Sequence, residues 1–340
     1  MTVLVTGGLG YIGSNTICEL LERGNEIAVI DDLSNSSEKI FSKVKDLYPS
    51  GSINFLKSTL LDFDRVDSFL GDYNISSVIH FAGLKSVPES FEKPIEYYKN
   101  NISGTINLLN LMKKHGIYSL VFSSTAALYS NSNLNTSKES DNIDANNPYS
   151  FSKLSIEQIL ENLSNDSSKW NFISLRYFNP VGCHRSNNFG DNPKIPTNIF
   201  PLIGKAALDS SFDFEVFGDD YNTPDGSGMR DYVHVTDLAL AHISSLEFLK
   251  VNKKTQKRDN FKIFNVGTGK SYSVLEVINE YEKASGKKIN FRILNRRKGD
   301  IAYSCANVSK IKSVMGWSAK RNIQDMCLSD WKFRLKMNER

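Results

Sequence analysis

The chain has 340 residues, 40% hydrophobic and 23% charged, a balance typical of a soluble globular protein with enough apolar side chains for a substantial core. Its formal net charge of +3 gives no strong field that would favour nucleic acid over other anionic partners. The four cysteines (Cys18, Cys183, Cys305, Cys327) and five histidines are dispersed, which argues against a disulfide framework and a zinc site, and no apolar run approaches the roughly 20 residues that span a bilayer.

Met1 is followed at once by an apolar strand and a glycine turn, so no secretory leader and a cytoplasmic location are expected. Val3-Leu4-Val5 predicts the first strand, and Thr6-Gly7-Gly8-Leu9-Gly10-Tyr11-Ile12-Gly13 leads from it into a helix near 11–23. Gly7 suits a tight turn, Gly10 lets backbone approach a pyrophosphate, and Gly13 lets helix and sheet pack closely. The helix N-terminus then faces phosphate charge. Ile27 to Ile30 predicts the second strand, closed by Asp31 about 20 residues beyond the glycines. A carboxylate there accepts a ribose 2′-hydroxyl and repels a 2′-phosphate, which favours NAD over NADP. Asn35-Ser36-Ser37 and Asn101-Ile102-Ser103 match a glycan triplet by chance in a chain rich in Asn and Ser.

Further strands are expected at Ile53–Leu56, Val78–Phe81, Leu120–Phe122 and Phe172–Leu175, with helices near 62–72, 93–115 and 148–165. The two long helices should pack side by side or against a partner. Continuous apolar runs alternating with helices imply a parallel sheet buried on both faces, an α/β doubly wound Rossmann domain. Phe81-Ala82-Gly83-Leu84-Lys85 ends the fourth strand; Ala82 and Gly83 permit close backbone approach, and Lys85 fits either a phosphate contact or a solvated surface lysine. Residues 131–147 and 250–260 read as loops. After Asn179-Pro180 the segments become irregular. The domain boundary therefore falls at 1–180 for the Rossmann domain, with segments near 231–250 returning to its sheet, and 181–340 for a smaller mixed α/β substrate domain.

Tyr149 and Lys153 lie four apart on a predicted helix, hence on one face. A free phenol titrates near 10, and a neighbouring ammonium together with the positive nicotinamide of bound NAD would stabilise its phenolate and lower that value, which suits a base that removes a hydroxyl proton. Alone, the pair also fits an exposed helix face. Ser123-Ser124-Thr125 ends a strand and fits either a hydroxyl beside the same substrate oxygen or a turn former. His115 and His242 read as residues of ordinary helix faces.

Together with Arg176-Tyr177-Phe178-Asn179-Pro180-Val181-Gly182, Gly228 to Val235 and Arg296-Arg297-Lys298-Gly299-Asp300, these motifs resemble the extended short-chain dehydrogenases over essentially the whole chain, and within them the UDP-galactose (UDP-glucose) 4-epimerases. The resemblance implies that Tyr149 takes a proton from the sugar 4-hydroxyl while C4 gives hydride to NAD, that a 4-keto intermediate turns over, and that hydride returns to its other face. It implies that Thr125 relays or orients the proton and Lys153 binds the nicotinamide ribose. By the same resemblance Gly7, Gly10, Tyr11, Ile12, Gly13, Asp31, Asn35, Ser36, Phe81, Ala82, Gly83, Lys85, Asn100 and Tyr177 fall at cofactor positions. Lys85, Thr125, Asn179, Asn198, Arg230, Arg297, Asp300 and Ser304 fall at UDP-sugar positions; the arginines suit phosphate, although Arg230 equally suits an ion pair with Asp231 or another acid. The family is commonly a homodimer through its two long helices. Thr59 stands where an acidic residue usually reads the adenine, with Asp62 out of register; Ser150-Phe151 and Ser130 replace usual glycines. Ser304 is small, which implies room for an N-acetyl group.

Three rivals bear on this reading. A 4,6-dehydratase needs an acid pair where Ala126 and Ala127 stand. A 4-epimerase of UDP-xylose, UDP-arabinose or UDP-glucuronate fits the same motifs, whereas a non-catalytic NAD-binding regulator has no need of Tyr149 and Lys153.

Overall fold

The computed structural model describes residues 2–129, 136–166, 169–255, 260–297 and 299–339. Along the chain β1 (Thr2–Thr6), α1 (Tyr11–Glu22), β2 (Glu26–Asp31), α2 (Glu38–Leu47), β3 (Ile53–Lys57), α3 (Phe63–Gly71) and β4 (Ile75–His80) alternate. Next come α4 (Val87–Glu92), α5 (Pro94–Tyr97), a π-helical turn (Tyr98–Ser103), α6 (Gly104–Lys114), β5 (Ser119–Thr125), α7 (Pro148–Asp166) and β6 (Asn171–Tyr177). Then follow β7 (Asn179–Val181), α8 (Ile199–Leu208), β8 (Phe214–Phe217), β9 (Met229–His234), α9 (Val235–Thr255) and β10 (Phe261–Val266). The chain closes with β11 (Ser271–Ser273), α10 (Val274–Ser285), β12 (Phe291–Leu294), β13 (Tyr303–Ser304), α11 (Ser309–Met315) and α12 (Ile323–Asn338).

The chain divides into two compact units. The first takes the described residues within Met1–Ser130, Asn142–Tyr177 and Ala239–Phe264; the second takes those within Asn131–Asp141, Phe178–Leu238 and Asn265–Arg340. Seven strands of the first unit form one sheet in the order β10-β6-β5-β4-β1-β2-β3. Every residue of β1 and β5 is buried, as the unbroken apolar runs require of strands covered on both faces. Leu4, Ala28, Val78, Leu120 and Phe122 form a core with Leu108, Met112, Ile156 and Leu160 from the helices and with Trp170 just before β6. Each buried Val, Leu, Ile, Phe or Met among them contributes about 1.5–3 kcal/mol. The chain changes direction between β1 and β4, so the glycine turn after β1 and the Phe81–Lys85 turn after β4 both lie at the switch point, where an open α/β sheet binds its ligands.

The two expected long helices lie against each other in this unit, with the Tyr98 and Phe151 rings 5.7 Å apart. The helix expected over 93–115 is three pieces, because the π-helical turn interrupts it. The helix α2 was not expected from the sequence.

In the second unit β9 pairs with β7, β11 and β13, and β8 pairs with β12. Phe200, Ile203, Tyr232, Val277, Tyr281, Met326 and Trp331 pack as its core. This half is more regular than the sequence reading expects. Helix α10 starts with a reciprocal Ser273/Glu276 capping box and α12 with an Asn322/Asp325 one. Helix α9 runs through Thr255, into the stretch expected as a loop. Residues 131–135 of the other expected loop, and Ser130, lie outside the described residues, as do 256–259. Among the described residues no helix is long and apolar enough to cross a membrane, and no group of three or more His, Cys, Asp or Glu is set for a metal ion.

Candidate active site

The glycine turn is built by backbone contact. Gly7 has φ +65°, and a Cβ on it would lie 2.7 Å from the Ala82 nitrogen, so β1 and β4 can close on each other only around a glycine. A Cβ on Gly13 would lie 2.4 Å from the Gly7 carbonyl oxygen; its smallness serves the turn itself. Gly10 occupies the N-cap of α1, no side chain caps that helix, and its first turn carries no acid. Tyr11 and Ile12, half-buried, form that first turn. Such a terminus suits an anion.

Asp31 is buried at the end of β2. Its carboxylate accepts the Leu9 amide at 2.9 Å, the Leu33 amide at 2.9 Å and the Ser36 hydroxyl at 2.7 Å. One carboxylate therefore ties the glycine turn to the loop after β2, where Asn35 stands exposed. Asp62 is spent as the N-cap of α3, accepting the Arg65 amide, while the Thr59 hydroxyl accepts the Leu61 amide.

His80 joins three segments around the Phe81–Lys85 turn. The Thr105 hydroxyl donates to the Asn101 carbonyl at 2.6 Å, so it accepts from His80 Nε2 at 2.8 Å. His80 Nδ1 then accepts from the Thr6 hydroxyl at 2.6 Å, and the Thr6 oxygen accepts the Ala82 amide at 3.4 Å. The ring is a neutral Nε2–H tautomer, and burial holds its pKa down to about 3, with the Lys153 charge adding to the shift. Gly83 (φ +158°) passes close to Asn101, which donates to the Leu84 carbonyl at 3.1 Å and accepts the Leu84 amide at 2.8 Å. Asn101 also donates to the Ser152 hydroxyl at 3.0 Å on α7. Asn100 is half-buried in the π-helical turn and Lys85 is exposed. Sequence reading missed Asn101, which an adjacent asparagine masks; its burial also rules out a glycan there.

Thr125, Tyr149 and Lys153 are brought together in the first unit. Pro148 opens α7, Asn147 Oδ1 accepts the Ser150 amide at 2.8 Å, and the Ser150 hydroxyl donates to the Ala127 carbonyl at 3.0 Å. The start of the helix is thus pinned to the turn that follows Thr125, a bond that glycine at 150 would not make. The Lys153 ammonium donates to the Ser123 carbonyl at 2.8 Å and lies 4.9 Å from the Phe122 ring and 6.0 Å from the Tyr149 ring. Burial lowers its pKa to about 8, against the pull of Glu157. Burial pushes the Tyr149 phenol up, and the Thr125 hydroxyl draws it back. The Tyr177 hydroxyl meets Ser123 Oγ, and its ring lies 5.8 Å from His242, which packs 4.6 Å from Phe81. His242 lies on α9 with its ring buried; His115 caps α6 and bonds Asp67 at 2.8 Å.

The remaining predicted residues belong to the second unit. Arg230 on β9 is in register with Ser304 on β13, which is buried, and Asn179 on β7 is in register with Tyr232. The Arg230–Asp231 ion pair does not form. Asp231 points the other way and accepts Thr268 N at 2.8 Å, Thr268 Oγ1 at 2.7 Å, Gly269 N at 3.0 Å and Ala306 N at 3.1 Å. Among the described residues Arg230 makes no ion pair. Arg297 bonds Asp300 at 3.1 Å and lies 4.2 Å from the Phe217 ring; Lys298 lies outside the described residues. Arg296 lies 4.2 Å from the buried Tyr221 ring, and the charges of Arg230, Arg296, Arg297 and Asp300 all act on that phenol. Asn198, exposed before α8, donates to Asp191 at 3.0 Å. Sequence reading did not single out Arg296 or Tyr221.

The GDP-mannose 4,6 dehydratase family model matches residues 4–329. A UDP-glucose 4-epimerase of Bacillus subtilis (strain 168) is 43% identical over 335 residues, covering 98% of this chain and 97% of that protein. The UDP-glucose 4-epimerase of Homo sapiens is 42% identical over 340 residues, covering 98% and 96%. Among solved structures, the UDP-glucose-4-epimerase of Stenotrophomonas maltophila with bound NAD and formylated UDP-arabinopyranose has a TM-score of 0.95 at 39% identity, covering 100% of this chain and 99% of that one. The enzyme of Bifidobacterium longum in complex with NAD+ and UDP has a TM-score of 0.91 at 41% identity, covering 99% and 98%.

Proposed function

The chain belongs to the UDP-glucose 4-epimerases of the extended short-chain dehydrogenase/reductase family, and on that premise we propose that it interconverts UDP-galactose and UDP-glucose with Tyr149 as the base. It is an NAD-dependent isomerase acting at C4 of a UDP-sugar. One observation supports the assignment of roles: the Thr125 hydroxyl bonds the Tyr149 phenol, and the Lys153 ammonium stands by the Tyr149 ring and by Gly83 in the turn after β4.

Gly7, Gly10, Tyr11, Ile12 and Gly13 hold the NAD pyrophosphate in this reading, with Asp31, Asn35 and Ser36 at the adenosine ribose. Phe81, Ala82, Gly83, Lys85, Asn100 and Tyr177 line the rest. The donors fit the group: an uncapped helix terminus, a buried carboxylate held in place, and glycines where a Cβ would meet backbone. Bound NAD supplies the hydride acceptor and later the donor for C4. Tyr149 removes the 4-hydroxyl proton and returns it, Thr125 holds the phenol oxygen through its hydroxyl, and Lys153 supplies the positive charge that favours phenolate. Raised by burial, the phenol needs that charge to act near neutrality. Asn179, Asn198, Arg230, Arg297, Asp300 and Ser304 hold the UDP-sugar, with Lys85 at its phosphates; the guanidinium of Arg230 has no carboxylate on it, which suits phosphate. We take the first unit as the NAD-binding domain and the second as the UDP-sugar-binding domain.

The small, buried Ser304 supports a wider range that includes UDP-N-acetylhexosamines. A homodimer through α5, α6 and α7 is part of the same reading. Phe91, Ile95, Ile106 and Phe151 leave an apolar surface on those helices and the adjoining α4, with Ile95 79% exposed. The four free, buried cysteines suit a cytoplasmic location. The test is direct: purified protein with UDP-galactose forms UDP-glucose without added reductant, and Tyr149→Phe stops turnover while NAD stays bound. Turnover confined to UDP-pentoses or UDP-glucuronate would replace this substrate assignment.

A further inference from the structure

We propose that Glu157 is a positioning residue for the reaction: held by Arg176, it fixes α7 against β5 and β6 and so sets where the Lys153 ammonium stands relative to the Tyr149 phenol. The inference rests on the roles given to Tyr149 and Lys153 above.

Tyr149, Lys153 and Glu157 follow at every fourth position, one stripe of α7. Lys153 and Glu157 are both buried. Arg176 Nε donates to the two Glu157 carboxylate oxygens at 3.1 and 3.2 Å, and Nη2 reaches Oε2 at 2.5 Å. The Ser174 hydroxyl donates to Oε1 at 2.7 Å. The other arm of Arg176 donates to the Tyr129 hydroxyl at 3.1 Å, and the guanidinium lies 5.3 Å from that ring. Tyr129 closes the turn that begins at Thr125, its amide donating to the Ala126 carbonyl at 3.1 Å. One guanidinium therefore joins the helix of Tyr149 and Lys153, the strand of Tyr177 and the turn of Thr125.

A buried ion pair adds little net stability over well-packed apolar residues. What the charged pair adds is direction. A planar fork against a carboxylate accepts one rotation and one height of α7, whereas apolar contacts tolerate sliding. It also adds a negative charge along the stripe behind Lys153. The groups facing Lys153 are Tyr149 and Glu157 on its own helix, His80 on β4, the Phe122 ring and Ser123 carbonyl on β5, and Asn101 near Gly83. Glu157 is the one acid among them.

The test compares Glu157→Gln with the double variant Glu157→Met/Arg176→Met, each carrying its bound NAD. In Glu157→Gln the shape is kept but the charge facing Lys153 is lost. Its kcat falls roughly tenfold to a hundredfold, KM for UDP-galactose stays within about twofold, and the alkaline limb of kcat/KM moves to lower pH by roughly one unit. The double variant melts at or above the wild-type temperature and still shows the kcat loss and the shifted limb. Wild-type kcat and pH profile in either variant would overturn the proposal, since a structural role is restored by apolar packing. Should Glu157→Gln not fold, the double variant decides alone. Ultraviolet titration of the Tyr149 phenol in the NAD complex, taken as the difference from Tyr149→Phe, needs no turnover. Its midpoint rises in the variants if Glu157 positions Lys153; an unchanged midpoint refutes the proposal. Failure of the wild-type protein to convert UDP-galactose counts against the functional reading alone.

Discussion

Replacing Gly7 by alanine asks whether the turn after β1 is set by backbone contact. At φ +65° a non-glycine residue costs about 1–2 kcal/mol. The new Cβ would lie 2.7 Å from the Ala82 nitrogen, 2.9 Å from its Cα and 3.0 Å from the Phe81 carbonyl carbon. All three are backbone atoms at the end of β4, with no flexible side chain to yield, so overpacking adds about 1–3 kcal/mol. The sum is about 2–5 kcal/mol. Gly24→Ala isolates the first part, because Gly24 has φ +71° and nothing within 4 Å of its Cβ site. Gly13→Ala isolates the second, with no positive φ and a Cβ 2.4 Å from the Gly7 carbonyl oxygen. The assay is hydrogen exchange in peptides covering β1 and β4. Exchange in Gly7→Ala is expected to speed up by roughly thirtyfold or more, at about tenfold per 1.4 kcal/mol, and more than in Gly24→Ala, and NAD binding should weaken with it. Exchange in Gly7→Ala no faster than in Gly24→Ala would refute the steric part of the reasoning.

Thr125→Ala removes the hydroxyl that draws the Tyr149 pKa down, so the phenol titrates at higher pH and the acidic limb of the kcat/KM profile moves alkaline; an unmoved limb with reduced kcat would give Thr125 a purely orienting role. His80 is held at about 3 in the folded chain against an ordinary value of 6.5, so the unfolded chain binds its proton first. The stability associated with His80 is complete above about pH 6.5 and is lost as pH falls toward 3, at up to about 1.4 kcal/mol per pH unit. His80→Gln should flatten the slope of unfolding free energy between pH 4 and 6 by about that amount, read from denaturant midpoints at stepped pH; His234, also held at about 3, keeps its share. Ser304→Tyr fills the small site and should abolish turnover of UDP-GalNAc while sparing UDP-galactose, measured as the ratio of kcat/KM values.

The parts legible in the sequence are those built from neighbours along the chain. The glycine turn, Asp31 and the Tyr149/Lys153 pair each sit within one or two elements, where spacing alone sets which side chains share a face. The sheet strands were legible because burial on both faces leaves unbroken apolar runs. Strands of three residues such as β7 and β11 carry no period, and α2 hides its apolar face among lysines and serines. The π-helical turn keeps helical spacing on either side and adds one residue's offset, which periodicity does not register. Glu157 and Arg176 resemble surface residues until the fold brings helix and strand together. Asp231 looked like a partner for its neighbour Arg230, yet strand alternation sends the two side chains to opposite faces. The burial of Tyr149, which pushes its phenol up, was not legible either: charge neighbours are visible in a sequence, and depth of burial is not.

The central claim is that a hydride leaves C4 and returns to it inside one protein. UDP-galactose carrying deuterium at C4, incubated with the purified enzyme and no added reductant, tests it by proton NMR. The expected product is UDP-glucose that still holds its deuterium at C4, with no product from Tyr149→Phe. Absence of product from the wild-type protein, or UDP-glucose whose C4 deuterium has been exchanged for solvent hydrogen, would contradict it.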